Sequence, residues 1–419
     1  MSDMSGTPAA EGFSRRHFIA GAGVLAAAAA GSALAVTRPW EQSSLFSAGS
    51  GGSAGGPLVL ITLYGGNDGL NTVVPYTGPA QAAYGSARPN LGYKPTEVLP
   101  LADGLGLNPK LAGLHGLWQA GTLAVVRGVG YPNPNLSHFA SMAIWQTANV
   151  EDGVGSGWVG RWLDSVGDGP ERAISVGATL PPAFRGEKES AAAITGPSIT
   201  LPGDRGFQQA YAAMQAAGSD RVGLAASIAS SGSDLLGVQA RLAKLVQSGP
   251  ATGSGTGAVP ADLSGALGMV SDLIAAGSPA QVYQVSLESF DTHADEKANH
   301  ERLLAELDAA VSGFFKALDG KAHGAGTVLM TYSEFGRRAA ENASGGTDHG
   351  TAAPLFVAGA KVKGGRFYGE EPSLTDLDSN GNLKSNVDFR QVYATVLERV
   401  VGSDPEPVLG AKFQALDFV

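Results

Sequence analysis

A three-layer α/β/α sandwich around a mostly parallel central sheet is the fold this sequence predicts. Three observations predict it. Short apolar runs are continuous rather than alternating, which is how a strand covered on both faces reads. Segments with helical periodicity lie between these runs. Acidic and imidazole residues follow the runs closely, and in open α/β sheets ligands bind beyond the carboxyl ends of the strands.

The first run is Leu58-Val59-Leu60-Ile61-Thr62-Leu63-Tyr64, ended by the turn Gly65-Gly66-Asn67-Asp68-Gly69. Leu111 to Gln119 reads as a helix, Leu123 to Val129 as a second buried strand, and Phe139 to Thr147 as a helix. Pro197 to Gly257 is rich in Gly, Ser and Ala, with a helical stretch at Asp234 to Val246 and a loop at Gly249 to Gly257, and reads as an insertion or cap. Gln281 to Leu287 is a third strand. His300 to Leu318 carries the clearest apolar stripe: Leu303, Leu304, Leu307, Ala310, Val311, Phe314, Phe315 and Leu318. Thr327 to Tyr332 and Pro354 to Ala358 are further strands, and Asp388 to Val401 is a terminal helix. Residues 58–419 therefore read as one domain.

The start of the chain has a different character. Ser14-Arg15-Arg16-His17-Phe18-Ile19 precedes a weakly apolar run from Ala20 to Leu34, and Ala33-Leu34-Ala35 is a small-x-small cleavage pattern. Residues 1–35 read as a twin-arginine signal peptide cut after Ala35, and residues 36–57 as a flexible linker. The expected partner is the twin-arginine export machinery, which carries folded cargo. The absence of cysteine excludes disulfides, thiolate nucleophiles and thiolate-ligated zinc. A net charge of −10 argues against nucleic acid and anionic membrane surfaces as partners. No second apolar run is long enough to span a bilayer, so the mature chain is expected to have no membrane span.

Asp68, Asp291, His293, Glu334 and His349 are the residues that can surround one or two cations at the sheet edge, since carboxylates suit hard ions and neutral imidazole suits zinc. Asp68 follows the first strand, Asp291 and His293 the third, and Glu334 the run Thr327 to Tyr332. His349 precedes its strand and must loop back to the same edge. Ser137 reads either as a nucleophile or as the N-cap of the helix from Phe139. Its neighbour His138 reads as a base or a ligand, though a Ser137–His138 dyad is not expected, because adjacent residues on a helix do not face each other. Arg337 and Arg338 read either as an anion clamp or as a solvated pair. His300, which opens the long helix, reads either as a ligand or as a solvated residue, the second being favoured, and His115 and His323 are expected to be structural.

Leu63-Tyr64-Gly65-Gly66-Asn67-Asp68-Gly69-Leu70-Asn71, Ser137-His138-Phe139, Phe290-Asp291-Thr292-His293, Tyr332-Ser333-Glu334-Phe335-Gly336-Arg337 and Gly346-Thr347-Asp348-His349-Gly350, with the twin-arginine start, resemble the exported bacterial domain-of-unknown-function family fifteen-oh-one. The order of segments is more distantly similar to the alkaline phosphatase and sulfatase superfamily. That resemblance implies an alkaline-phosphatase-like sandwich with metal at the strand ends. It implies Asp68, Asp291, His293 and His349 as metal ligands, with Glu334 as a further ligand or general base. It places the helix-start nucleophile on Ser137 or His138, with His138 the better match, and assigns Arg337 to the substrate anion. Phe335 stands where that superfamily has a metal-binding histidine, so one site for a divalent ion, zinc or a harder cation, is expected in place of two. The function implied is metal-dependent hydrolysis of a small anionic ester, a phosphate or sulfate, outside the cytoplasm. The alternative is a non-catalytic envelope protein that kept the fold.

Overall fold

The computed structural model describes residues 55–167, 169–196, 203–217, 222–248 and 260–419, with side chains in the 224–248 helix described as far as residue 240. The expected signal peptide, nearly all of the linker and the loop from Gly249 to Gly257 lie outside the described residues.

Among the described residues nine strands form the central sheet: β1 Leu58–Leu63, β2 Leu123–Gly130, β3 Ala173–Val176, β4 Ala192–Ile194, β5 Val282–Leu287, β6 Val328–Tyr332, β7 Ala353–Ala358, β8 Arg366–Tyr368 and β9 Val387–Asp388. Their order is β8-β2-β7-β6-β1-β5-β3-β4, with β9 also paired to β2. β1 pairs in parallel with both β5 and β6, placing Ile61 opposite Val285 and Thr331. Only β7 runs antiparallel to its neighbours β6 and β2. This reversal explains how a segment that precedes its strand reaches the carboxyl edge of the sheet. The start of β7 lies at the carboxyl ends of the parallel strands.

The continuous apolar runs bury both faces. Side chains alternate along a strand, so Leu58 and Leu60 face one core with Trp145, Trp158, Trp162, Phe389 and Tyr393. Val59, Ile61 and Leu63 face the other, with Leu267, Leu304, Leu307 and Phe314. Helices therefore cover the sheet on both sides, and the expected mostly parallel three-layer arrangement is borne out. The helix Glu296–Leu318 buries Leu303, Leu304, Leu307, Ala310, Val311, Phe314 and Leu318 along one stripe and starts one turn before the expected His300. That extra turn carries Glu296 and leads into His300, both buried. Leu304 is 0% exposed at the centre of its core, so Leu304→Ala is expected to cost about 2–5 kcal/mol in chemical denaturation.

The region expected to be an insertion contains the helices Arg205–Ala216 and Leu224–Ser248, which pack on each other. Among the described residues no helix is long and apolar enough to cross a membrane.

Candidate metal centre

Four loops converge at the carboxyl edge of β1, β5 and β6 and the start of β7. The turn after β1 needs glycine twice. Gly65 and Gly66 have φ of +117° and +77°. A Cβ on Gly65 would lie 2.4 Å from the Asp291 amide nitrogen, and one on Gly66 2.5 Å from the Phe335 ring. This closeness lets Arg337 rivet the loops together. Its Nε donates to the Gly66 carbonyl (2.7 Å), Nη1 to Thr347 (2.9 Å), and Nη2 to Gly65, to Phe290 (2.9 Å) and to Asp291 Oδ1 (2.8 Å).

Around Asp291 Oδ1 stand three imidazoles. His293 Nε2 is 3.1 Å away, His349 Nε2 3.2 Å and His138 Nε2 3.4 Å. His293 Nε2 and His349 Nε2 are 2.9 Å apart. The ligand atoms of His138, Asp291 and His349 all lie within 4.8 Å of one another.

The far sides of the rings fix their tautomers. His349 Nδ1 lies 2.8 Å from the Leu136 carbonyl, which can only accept, so Nδ1 carries the proton and Nε2 presents a lone pair inward. His138 Nδ1 lies 2.7 Å from Glu334 Oε1 and donates to it. His138 Nε2 is then an acceptor, and it is buried without a hydrogen-bond partner. His293 Nδ1 faces Asp348 Oδ1 at 3.6 Å. His138 and His349 therefore turn lone pairs toward Asp291 Oδ1, which accepts from Arg337, while His293 Nε2 stands 2.9 Å from His349 Nε2. A cation resolves this arrangement. Imidazoles oriented by a carboxylate or a backbone carbonyl are the usual surroundings of a metal.

Charge follows the same geometry. Burial pushes the Asp291 carboxyl up, but the hydrogen bond and charge of Arg337 more than offset this, and the carboxyl is held at about 2. Burial keeps the His349 ring below the ordinary imidazole range, against the opposing pull of the Leu136 carbonyl and Asp291. Both groups are thereby in the form that binds a cation at neutral pH. Phe335 is buried and backs the cluster, its ring 4.9 Å from His138 and 4.7 Å from His349.

Asp291, His293, His349 and His138 are thus brought together. Five other expectations are corrected. Asp68 does not join the cluster. It is buried and paired with Arg88 at 2.5 Å, because the chain after the two glycines turns its side chain inward. Arg337 is no anion clamp: its side chain is 0% exposed and its guanidinium is taken up by four carbonyls and Asp291. Glu334 is 1% exposed and accepts from Gly65 N (2.8 Å) and His138, so it orients an imidazole instead of facing substrate. Ser137 precedes the helix His138–Thr147 but makes no capping bond with its side chain; its backbone amide donates to Asn135 Oδ1 and its carbonyl accepts from Ser141. His300 is buried and bonded to Asn67 Oδ1 at 2.9 Å, not solvated.

Sequence reasoning missed Arg88, Glu296 and the partner role of Asp348. Glu296 and His300 sit four residues apart on one helix face, and that spacing was the available signal. Arg88 had none.

Glu334→Gln keeps the shape of the His138 partner and removes its charge. Zinc affinity is expected to fall roughly 10–100-fold with the fold retained, read by competition with a chromogenic chelator.

Among curated proteins, none matches the sequence. Several solved structures are similar to this chain at low identity. The C-terminal periplasmic domain of EcEptC from Escherichia coli, in complex with Zn, is 9% identical over 74% of each chain, with a TM-score of 0.38. A protein in the alkaline phosphatase superfamily from Vibrio parahaemolyticus is 10% identical, over 86% of this chain and 70% of that one, with a TM-score of 0.40. The lipoteichoic acid synthase LtaP from Listeria monocytogenes is 11% identical, over 83% and 72%, with a TM-score of 0.37. The family described as "Protein of unknown function (DUF1501)" matches residues 124–417, and the chain belongs to that family.

Proposed function

We propose that this chain is an exported metal-dependent hydrolase that cleaves a phosphate or sulfate ester, with one divalent ion held by His138, Asp291, His293 and His349. The observation that carries the reading is the convergence of lone pairs from His138 and His349 on the Asp291 carboxylate, each ring fixed from behind. Nitrogen donors with one carboxylate favour zinc over magnesium or calcium. Such an ion supplies Lewis-acid charge and a nucleophile at neutral pH.

The protein's own part is orientation and proton handling. Glu334 and the Leu136 carbonyl hold two rings in the metal-binding tautomer. His293 is about half exposed and faces the equally exposed Asp348, so this pair is placed to carry a proton to or from solvent. With Arg337 occupied, the ester's negative charge is left to the ion and to the first amides of the helix His138–Thr147, which Ser137 does not cap. The exported location follows from the twin-arginine start, and the metal would be loaded before export.

The lack of a capping bond from the Ser137 side chain and the saturation of Arg337 favour one other reading, an envelope protein whose ion is structural. Elemental analysis of the natively exported protein, run beside hydrolysis of chromogenic phosphate and sulfate esters, separates the two. Stoichiometric zinc with turnover supports the hydrolase. Zinc without turnover on a broad ester panel leaves the structural ion. A protein that binds no divalent metal at neutral pH sinks both.

A further inference from the structure

A second group of ligand-type side chains lies behind the edge cluster and shares no residue with it. Asp68, Glu296 and His300 are 0%, 0% and 1% exposed. Their ligand atoms all lie within 4.8 Å of one another. Each carries an atom with no hydrogen-bond partner: Asp68 Oδ1, Glu296 Oε1 and His300 Nδ1.

The other atoms of these side chains are committed. Asp68 Oδ2 accepts from Arg88 Nη1 at 2.5 Å. Glu296 Oε2 accepts from Thr347 Oγ1 at 2.6 Å. His300 Nε2 lies 2.9 Å from Asn67 Oδ1, while Asn67 Nδ2 donates to Thr72 Oγ1. With Asn67 oriented by that second bond, Nε2 of His300 donates, and Nδ1 is left as a lone pair. Unless Glu296 carries a proton, three acceptors face one another in a space that solvent does not reach.

Orphaned buried acceptors of this kind are costly. A proton shared between the two carboxyl groups would satisfy two of the three atoms and leave His300 Nδ1 bare. A cation satisfies all three. We propose that Asp68 Oδ1, Glu296 Oε1 and His300 Nδ1 form a second, buried site for a divalent transition ion such as zinc. The donor set of two carboxylate oxygens and one imidazole nitrogen suits zinc or manganese. Full burial disfavours magnesium, which keeps several of its waters. Thr347 ties this site to the edge, since its carbonyl accepts from Arg337 and its hydroxyl holds Glu296. The inner ion would therefore stiffen the loop that presents His349 without touching substrate. The inference holds whether or not the edge cluster is catalytic.

The test counts ions. The full chain is stripped with a chelator, reloaded with zinc, desalted and analysed for bound metal. The wild type is expected to hold two ions per chain. The double variant His138→Ala/His349→Ala disrupts only the half-exposed edge cluster and is expected to keep one ion, released slowly because it is buried. Glu296→Gln is expected to keep one ion as well, the one that exchanges fast. If Glu296→Gln fails to fold, the edge double variant decides alone. A wild type holding one ion that the double variant loses overturns the inner site. A wild type holding one ion that the double variant keeps supports it and overturns the edge centre instead.

Discussion

Asp291→Ala is expected to empty the edge centre of its ion and to lower kcat/KM for ester hydrolysis by two to three orders of magnitude, roughly 3–4 kcal/mol of transition-state stabilisation. Asp291 Oδ1 is the atom on which His138, His293, His349 and Arg337 all converge. Without it the imidazoles present only neutral lone pairs to one another, and the anionic ligand is gone. The loss should fall on function more than on folding. Arg337 retains the carbonyls of Gly65, Gly66, Phe290 and Thr347, so the frame of loops stays riveted. The carboxylate is itself about half exposed, so its removal leaves no large cavity. Zinc content and turnover are measured on the same preparation, with a thermal melt as the folding control. A variant that melts normally, holds full zinc and turns over at the wild-type rate would show that the convergence on Asp291 is not the working site.

The fold was legible because buried strands announce themselves. Leu58–Leu63 and Val328–Tyr332 are covered on both faces, and such strands read as unbroken apolar runs. The edge was legible for the same reason, since a chain leaving a parallel strand must emerge there. Asp291, His293 and His349 follow from that rule once β7 is allowed to run backwards. What the rule cannot give is side-chain direction a turn beyond the strand's end. Asp68 and Asp291 are equivalent in sequence position. Yet two left-handed glycines turn Asp68 into the interior, while Asp291 stays at the surface. Arg337 is undone similarly. An arginine beside acidic residues reads as an anion clamp, and nothing local shows that five acceptors from three distant loops already surround it. His300 was misread because the apolar stripe of its helix begins at Leu303. Its burial depends on Asn67, more than 200 residues away, which no periodicity reports.

Arg88→Met is expected to cost about 3–5 kcal/mol of folding stability, among the largest effects of any single substitution outside the apolar cores. Arg88 and Asp68 are both fully buried, and the pair is 2.5 Å apart. Arg88 Nε and Nη2 also donate to the carbonyls of Ala339 and Arg338, at 3.0 and 2.9 Å. Methionine fills much of the volume but supplies neither charge nor donors. Three acceptors are then orphaned, one of them an anion that already faces Glu296. Burial pushes the carboxyl of Glu296 up to about 9, and the negative charge of Asp68 adds to the effect. Burial also works on Asp68, but Arg88 and its neighbours more than offset it and hold that carboxyl well below the ordinary range. Removing the guanidinium therefore leaves two carboxyl groups that only a proton or a cation can reconcile. This distinguishes an inner ion site from a mere ion pair. If the three ligand atoms take a divalent ion, zinc should restore part of the lost stability, and more of it in Arg88→Met than in the wild type, because the competing charge is gone. Chemical denaturation of both proteins with and without zinc measures the difference. A deficit that zinc leaves untouched would reduce Arg88 to the counter-ion of a shared proton, and a deficit below about 1 kcal/mol would mean that Asp68 does not need it.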